Sequence, residues 1–145
     1  MKIILKKLII LLFLIVASCT KNATDLMELA QVNLDQNQED AAIENLNQLL
    51  TKYPKDSLAS QAQYKLATIY KSWKNDPKNL LEALNKTVNK YPDTPQATQA
   101  KKEIQAFQDW IINNAETLRK RKMTTESIEN LIYLVKNFPK HELAS

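Results

Sequence analysis

The residue types that most often carry chemistry are scarce in this chain of 145 residues. It has one cysteine, Cys19, one histidine, His141, and no glycine. A structural zinc site needs about four Cys or His ligands, and a disulfide framework needs paired cysteines, so neither is expected. A phosphate-binding loop of the glycine-rich type is excluded in the same way. The sequence therefore predicts no metal site and no cofactor.

Three glutamates, Glu44, Glu82 and Glu129, recur at one position of a repeated segment. Carboxylates can act as general acids or bases. Recurrence at a fixed position of a scaffold instead favours a solvated helix face or bonding between helices. The sequence also offers no recognisable pairing of a nucleophile with a base. We therefore expect a protein that is not an enzyme and that has no small-molecule substrate.

Cys19 follows a segment with the layout of a secretory signal. Lys2, Lys6 and Lys7 give a positive start, and residues 8–17 are apolar but too short to span a bilayer, which needs about 20 residues. Small residues then lead to a cleavage site between Ser18 and Cys19. The segment 16–19, Val-Ala-Ser-Cys, resembles the lipobox of bacterial lipoproteins. An ordinary signal peptide, or an uncleaved helix with an incidental cysteine, is the alternative.

The lipoprotein resemblance implies that residues 1–18 are removed and that Cys19 carries acyl chains such as palmitate, with residues 19–22 as a short tether. Two or three acyl chains anchor a protein firmly to a membrane. Thr20, rather than Asp, after the cysteine implies the outer membrane, facing the periplasm. Lys2, Lys6 and Lys7 account for three of the four net positive charges. The remaining chain is nearly neutral, so nucleic acid is not an expected partner.

The chain after the signal repeats one unit three times. The segments 42–54, 80–92 and 127–139 align without gaps and each ends in an aromatic residue followed by proline. Proline ends a helix, and the aromatic residue is expected to pack at the joint. Asp56, Asp76 and Thr94 are expected to start the helices that follow. Spacings of this size are typical of helical solenoids.

Apolar periodicity predicts six amphipathic helices in three pairs. Their expected bounds are about 23–36, 39–52, 58–74, 77–90, 95–121 and a last helix opening at Thr124, with Asn37 as the cap of the second. The residues expected to face inward include Leu26, Ala30, Leu34, Ala42, Leu46, Leu49, Leu66, Ile69, Trp73, Leu80, Leu84, Ala97, Ala100, Phe107, Ile111, Ala115, Leu118, Ile128, Leu131, Ile132, Leu134 and Val135.

These units resemble the tetratricopeptide repeat, with Leu29-Ala30, Ala42, Leu46 and Pro54 in the first copy. The second copy matches at Leu66-Ala67, Tyr70, Leu84 and Pro92, and the third more loosely at Ala115, Leu118, Leu131 and Pro139. The resemblance implies an all-α solenoid of αα-hairpins over residues 23–145, with units at about 23–54, 57–92 and 95–139. An αα-bundle of another family is the alternative.

Such a solenoid implies a concave groove that takes a protein or peptide partner. By family analogy, the candidate groove residues lie on the first helix of each pair: Met27, Gln31, Tyr64, Thr68, Lys71, Ile112 and Glu116.

A lipobox followed by repeats with a KYP junction is similar to the outer-membrane assembly lipoprotein family of the β-barrel assembly machinery. It is also similar to the Tol-Pal periplasmic coordinator family. The resemblance implies a lipid-anchored scaffold that binds envelope proteins, with a lipoprotein linked to the cell wall or to division as the alternative.

Overall fold

The computed structural model describes residues 21–139, so Ser18, Cys19 and His141 lie outside the described residues. Over that range the fold is all-helical, as predicted. None of the helices between residues 21 and 139 is long and apolar enough to cross a membrane. The seven helices are α1 (Ala23–Asp35), α2 (Glu39–Lys52), α3 (Ala59–Ser72), α4 (Pro77–Lys90), α5 (Pro95–Gln105), α6 (Phe107–Lys120) and α7 (Thr124–Asn137).

Side-chain caps begin three of these helices. Asn22 and Asp25 form a reciprocal capping box at the start of α1, with both hydrogen bonds at 2.9 Å. Asp76 and Thr94 each accept a hydrogen bond from the backbone N–H three residues later, and each precedes a proline at the first helical position. Proline, which has no N–H, is favoured at this position because an N–H there would have no partner within the helix. The predicted starts of α4 and α5 are therefore confirmed.

The helices end without glycine, although three turns need a positive φ. Asn37, Asn75 and Lys122 take φ values of 55°, 54° and 61°. After α1 and α6, the N–H of the positive-φ residue donates to the carbonyl three residues earlier, and the next N–H donates to the carbonyl five residues earlier. This is a Schellman motif, which satisfies the last carbonyls of a helix. The predicted role of Asn37 was wrong: it closes α1, and Gln38 precedes α2 without a side-chain cap.

The helices form antiparallel pairs, and a tyrosine closes each of the first two. The Tyr53 hydroxyl at the end of α2 donates to the carbonyl of Lys21, just before α1, at 2.9 Å. Tyr91 at the end of α4 donates to the carbonyl of Pro54, in the turn before α3, at 3.3 Å. The aromatic residue before each proline thus ties the end of a pair to its beginning. The prediction that these residues pack at the joints is confirmed.

The third pair closes through aromatic packing instead. Phe138, which has no hydroxyl, lies with its ring centroid 5.8 Å from that of Phe107 at the start of α6. Trp110 and Tyr133 also contact Phe107, at 5.8 and 6.4 Å between centroids. Phe107 is 1% exposed and is the largest fully buried side chain among the described residues.

The prediction of one long helix over 95–121 was wrong. The helix is interrupted at Ala106, where φ is −89° and ψ is 3°. On either side of the break the two helices have different neighbours: α5 packs on α4 and α3, whereas α6 pairs with α7. The apolar spacing runs through the break without interruption, and no Pro or Gly marks it. Tertiary packing therefore sets the break.

The core runs through the inner faces of all the pairs, and the predicted Leu46 is fully buried within it. Two predictions of burial were wrong. Trp73, at the end of α3, is 44% exposed, and α7 turns four of its predicted core residues outward. The residues that α7 does bury are Ser127, Asn130 and Leu134.

Candidate partner-binding surfaces

The structure divides the seven predicted groove residues between two places. Met27 and Gln31 lie on α1, and Tyr64, Thr68 and Lys71 lie on α3, whereas Ile112 and Glu116 lie on α6. The α1 and α3 residues belong to a face formed by the first helices of the pairs, which α5 continues. Ile112 and Glu116 line a different groove, between α6 and α7. The seven residues therefore do not form one continuous surface.

Polar side chains bridge α1 and α3 on the first of these faces. The amide of Gln31 donates from Nε2 to Asp35 Oδ1 at 2.8 Å and accepts from Lys65 Nζ at 2.7 Å. Met27, on the same helix, packs partly into the core. Gln31 therefore has partners within the protein, and a ligand on this face would have to compete with Lys65 for it.

A second bridge joins α3 to α5 through Glu103. Lys71 Nζ lies 2.7 Å from Glu103 Oε2, and the Tyr64 hydroxyl donates to Glu103 Oε1. Burial raises the pKa of Tyr64 to about 12, with the hydrogen bond to Glu103 and the charge of that carboxylate as further causes. Burial also opposes ionisation of Glu103, but the hydrogen bonds from Lys71 and Tyr64 outweigh it and lower its pKa. Glu103 is thus a carboxylate at the centre of the bridge.

Sequence reasoning missed Glu103, although it named both of its partners. The available signal was its place on α5, three residues after the buried Ala100 and next to Ile104, which packs partly against the core. Thr68 plays a local part, donating its hydroxyl to the Tyr64 carbonyl at 3.3 Å. Together these contacts make the α1–α3–α5 face a set of satisfied polar groups rather than an open apolar groove.

The groove between α6 and α7 has a different character. It encloses about 190 Å³ and is mostly apolar, and the residues that line it are Ile112, Ala115, Glu116, Arg119, Ser127 and Leu131. The Ser127 hydroxyl donates to the Ala115 carbonyl at 2.7 Å, so the two helices approach closely at its floor. Glu116 pairs with Lys120 at 2.9 Å along α6. This groove opens directly onto the outer face of α7.

That outer face, which we call the α7 stripe, consists of Ile128, Leu131, Ile132 and Val135. Their exposed fractions are 50%, 38%, 47% and 40%. Their spacing places all four on one side of the helix. Scattered apolar residues are normal on a protein surface, but a contiguous patch usually marks an interaction site. The α7 stripe is the main apolar patch of the described residues.

An acidic cleft of about 410 Å³ lies on the other side of α7, against the turn between α3 and α4. Asp76, Glu126 and Glu129 line it together with Asn130, whose Nδ2 is buried without a hydrogen-bond partner among the described residues. Burial, with the charges of Asp76 and Glu82, raises the pKa of Tyr133 at its edge. Lys74, which pairs with Asp40 at 2.6 Å, also lines the cleft, so its lining carries charges of both signs.

The recurring glutamates lie on the solvated faces of their helices, as the sequence predicts. Glu44, Glu82 and Glu129 are all exposed. Glu82 pairs with Lys86 at 2.6 Å, and that contact lowers the pKa of Glu82. Among residues 21–139 there is no group of three or more His, Cys, Asp or Glu side chains that could hold a metal ion.

The pairing of helices, the closing tyrosines and the helix-ending prolines can be compared with known families. The tetratricopeptide repeat family model matches residues 26–56 and 61–94, which cover most of the first two helical pairs and their closing turns. The first two helical pairs thus match the tetratricopeptide repeat. A comparison with curated proteins gives no match.

Tetratricopeptide repeats form protein-interaction scaffolds, which is the class of function that the match supports. The family model stops at residue 94, before the break at Ala106 and the third pair. The third pair therefore departs from the repeat pattern at the point where the apolar α7 stripe and the groove beside it appear.

Proposed function

We propose that this chain is a lipid-anchored scaffold of the bacterial cell envelope, held at the outer membrane facing the periplasm, that binds proteins of outer-membrane protein assembly. The lipobox that ends at Cys19 carries this proposal. Protein binding rests on the repeats, the anchor rests on that motif, and the outer-membrane location rests on Thr20 after the cysteine.

The distance between the anchor and the fold supports a scaffold that works at the membrane surface. Helix α1 begins at Ala23, and Asn22 already forms its capping box. Three steps along the chain separate Cys19 from Asn22, and they can span at most about 10 to 11 Å. Lys21 is itself tied to the second helix through Tyr53. An acylated Cys19 would therefore hold the first repeat against the lipid headgroups rather than on a long tether.

Two matched variants of the full-length protein test the anchor. Cys19→Ala should abolish incorporation of labelled palmitate and release the protein from the membrane fraction, or leave it unprocessed. Thr20→Asp keeps the cysteine and should leave lipidation intact while moving the protein to the inner membrane of a two-membrane cell. Normal processing and membrane retention of the Cys19→Ala protein would refute the lipoprotein assignment.

The pathway is tested by crosslinking in cells, solubilisation in detergent and mass spectrometry of the proteins that copurify with the tagged chain. Subunits of the barrel-assembly machinery, lost in the Cys19→Ala variant, would support the proposal. Recovery of Tol-Pal or wall-synthesis proteins in their place would reassign the chain to cell-wall or division processes. That result would leave the scaffold class and the anchor unchanged.

A further inference from the structure

The exposed α7 stripe can be compared with the equivalent positions of α2 and α4 in the two earlier repeats. Leu131 occupies the repeat position of Leu46 in α2 and Leu84 in α4, by the gapless alignment of the three copies. Leu46 and Leu84 are 0% and 1% exposed, and they lie on helices that pack on a neighbour at each side: α2 on α1 and α3, and α4 on α3 and α5. Leu131 is 38% exposed. The α7 stripe therefore continues a stacking face that is covered in both earlier pairs.

One residue distinguishes the α7 stripe from those earlier faces. Ile132 occupies the repeat position that Asn47 and Asn85 fill in α2 and α4, and both asparagines are exposed. A helix stacked as α3 or α5 is stacked leaves this position in solvent, so it needs no apolar residue there. Ile132 extends the apolar surface beyond what regular stacking covers. The surface thus fits an occupant that reaches farther round α7.

We propose that this occupant is a second copy of the same chain, with the two α7 helices packed antiparallel about a two-fold axis between Leu131 and Ile132. The spacing of the α7 stripe is symmetric about that point. In this pairing Ile128 lies opposite Val135 of the partner subunit, and Leu131 lies opposite Ile132 of the partner subunit. The pairing therefore uses Ile132, which regular stacking leaves exposed.

Charge complementarity supports the same arrangement. Glu129 and Lys136 lie on one flank of the α7 stripe, both exposed, and neither forms an ion pair with another described residue. In an antiparallel pair, like flanks face each other, so Glu129 comes within about 3 Å along the helix axis of Lys136 of the partner subunit. The symmetry repeats this contact, which gives two ion pairs for each dimer.

The groove beside the stripe adds contact area on the other flank. Ile112 and Leu131 line it, and Arg119 lies at its edge. A helix of 14 residues is about 21 Å long, so a single helix pair buries less area than a standard protein interface. We therefore expect a weak dimer, with a dissociation constant on the order of 10 to 100 µM.

The first experiment is photocrosslinking of the purified full-length protein with p-benzoylphenylalanine in place of Ile132. An equal mixture of ¹⁴N- and ¹⁵N-labelled chains shows whether a crosslink joins two molecules. We expect mixed-isotope crosslinks between position 132 and the α7 segment of the partner subunit. The same photoprobe in place of Val32, an exposed residue of α1, is the control and should give no such product.

Charge reversal tests the register of the pair without touching the core. Glu129→Lys and Lys136→Glu should each reduce the crosslink yield about two- to fivefold, and the double variant should restore it. Ile132→Asn, measured by sedimentation, should lower the association constant about tenfold or more, whereas Val32→Asn should leave it unchanged.

The outcomes decide the proposal. Mixed-isotope crosslinks within α7, with rescue by the double charge reversal, would establish it. Absence of crosslinks between copies, or equal yields in all the charge variants, would overturn it, as would a crosslink from position 132 to a different protein in cells. The proposal rests on the repeat fold and not on the lipid anchor. The Cys19→Ala protein should therefore dimerise equally well. Evidence against lipidation of Cys19 would not change the expected dimer.

Discussion

Equivalent leucines in two copies of the repeat should differ sharply in their contribution to stability. Leu46 in α2 is 0% exposed, whereas Leu131 at the same repeat position in α7 is 38% exposed. Replacing either by alanine removes the same atoms. At Leu46 the change leaves a cavity in a closed core, which costs about 2 to 5 kcal/mol. At Leu131 the surroundings are solvent on one side, so the cost should be about 1 kcal/mol or less.

The assay is urea denaturation followed by far-UV circular dichroism, at a protein concentration well below that needed for self-association. Leu84→Ala is the second control, because Leu84 is 1% exposed at the same repeat position in α4 and should resemble Leu46. Equal losses for Leu46→Ala and Leu131→Ala would refute the assignment of an uncovered α7 face. A loss below about 1 kcal/mol at Leu46 would refute the assignment of the core itself.

Two further predictions concern Glu103 and the glycine-free turns. Glu103→Gln should lower stability by about 1 kcal/mol or more at neutral pH and lower the pKa of Tyr64 from about 12. The folded-state pKa of Glu103 lies below its unfolded value. Its contribution to the free energy of unfolding is therefore fully present above the unfolded pKa and is lost as pH falls through the folded pKa. The difference in stability between wild type and Glu103→Gln should accordingly disappear in acid. NMR titration measures the pKa of Tyr64, and denaturation at several pH values measures the stability difference. Lys122→Gly should stabilise the protein by about 0.5 to 1 kcal/mol by relieving a positive φ, and Asn37→Gly should change stability less, since asparagine tolerates that conformation. Equal effects at the two turns, read from thermal melts, would count against this explanation.

Local signals were sufficient to predict most helix boundaries. The cap at Asp76, the cap at Thr94 and the three aromatic-proline junctions are short-range features, and each acts in the structure as its chemistry suggests. In the first unit, the Tyr53 hydroxyl reaches back over a separation of 32 residues to the carbonyl of Lys21. Interactions of this range can be read from one stretch of sequence, since both partners belong to the same pair.

The features that could not be predicted depend on which element lies next to which. The break at Ala106 follows from α5 and α6 having different neighbours, and the apolar period of the chain does not change there. The exposure of the α7 stripe has the same origin: periodicity identifies an apolar face but not what covers it. Glu103 was missed for a related reason, because its partners Lys71 and Tyr64 lie on α3, in a different unit, 32 and 39 residues earlier.

The break at Ala106 also explains why the third unit holds a candidate site that the first two lack. In the second pair, the surface of α4 is covered by α5, which also places Glu103 against Tyr64 and Lys71 on α3. Helix α5 thus acts as the closing helix of a stack of two regular repeats. The chain then continues into an additional hairpin, α6 and α7, whose own outer face has no such cover among residues 21–139. A partner that binds by helix packing would find its apolar contact at this end of the stack, whereas the face of the regular repeats presents polar groups that are already bonded to one another.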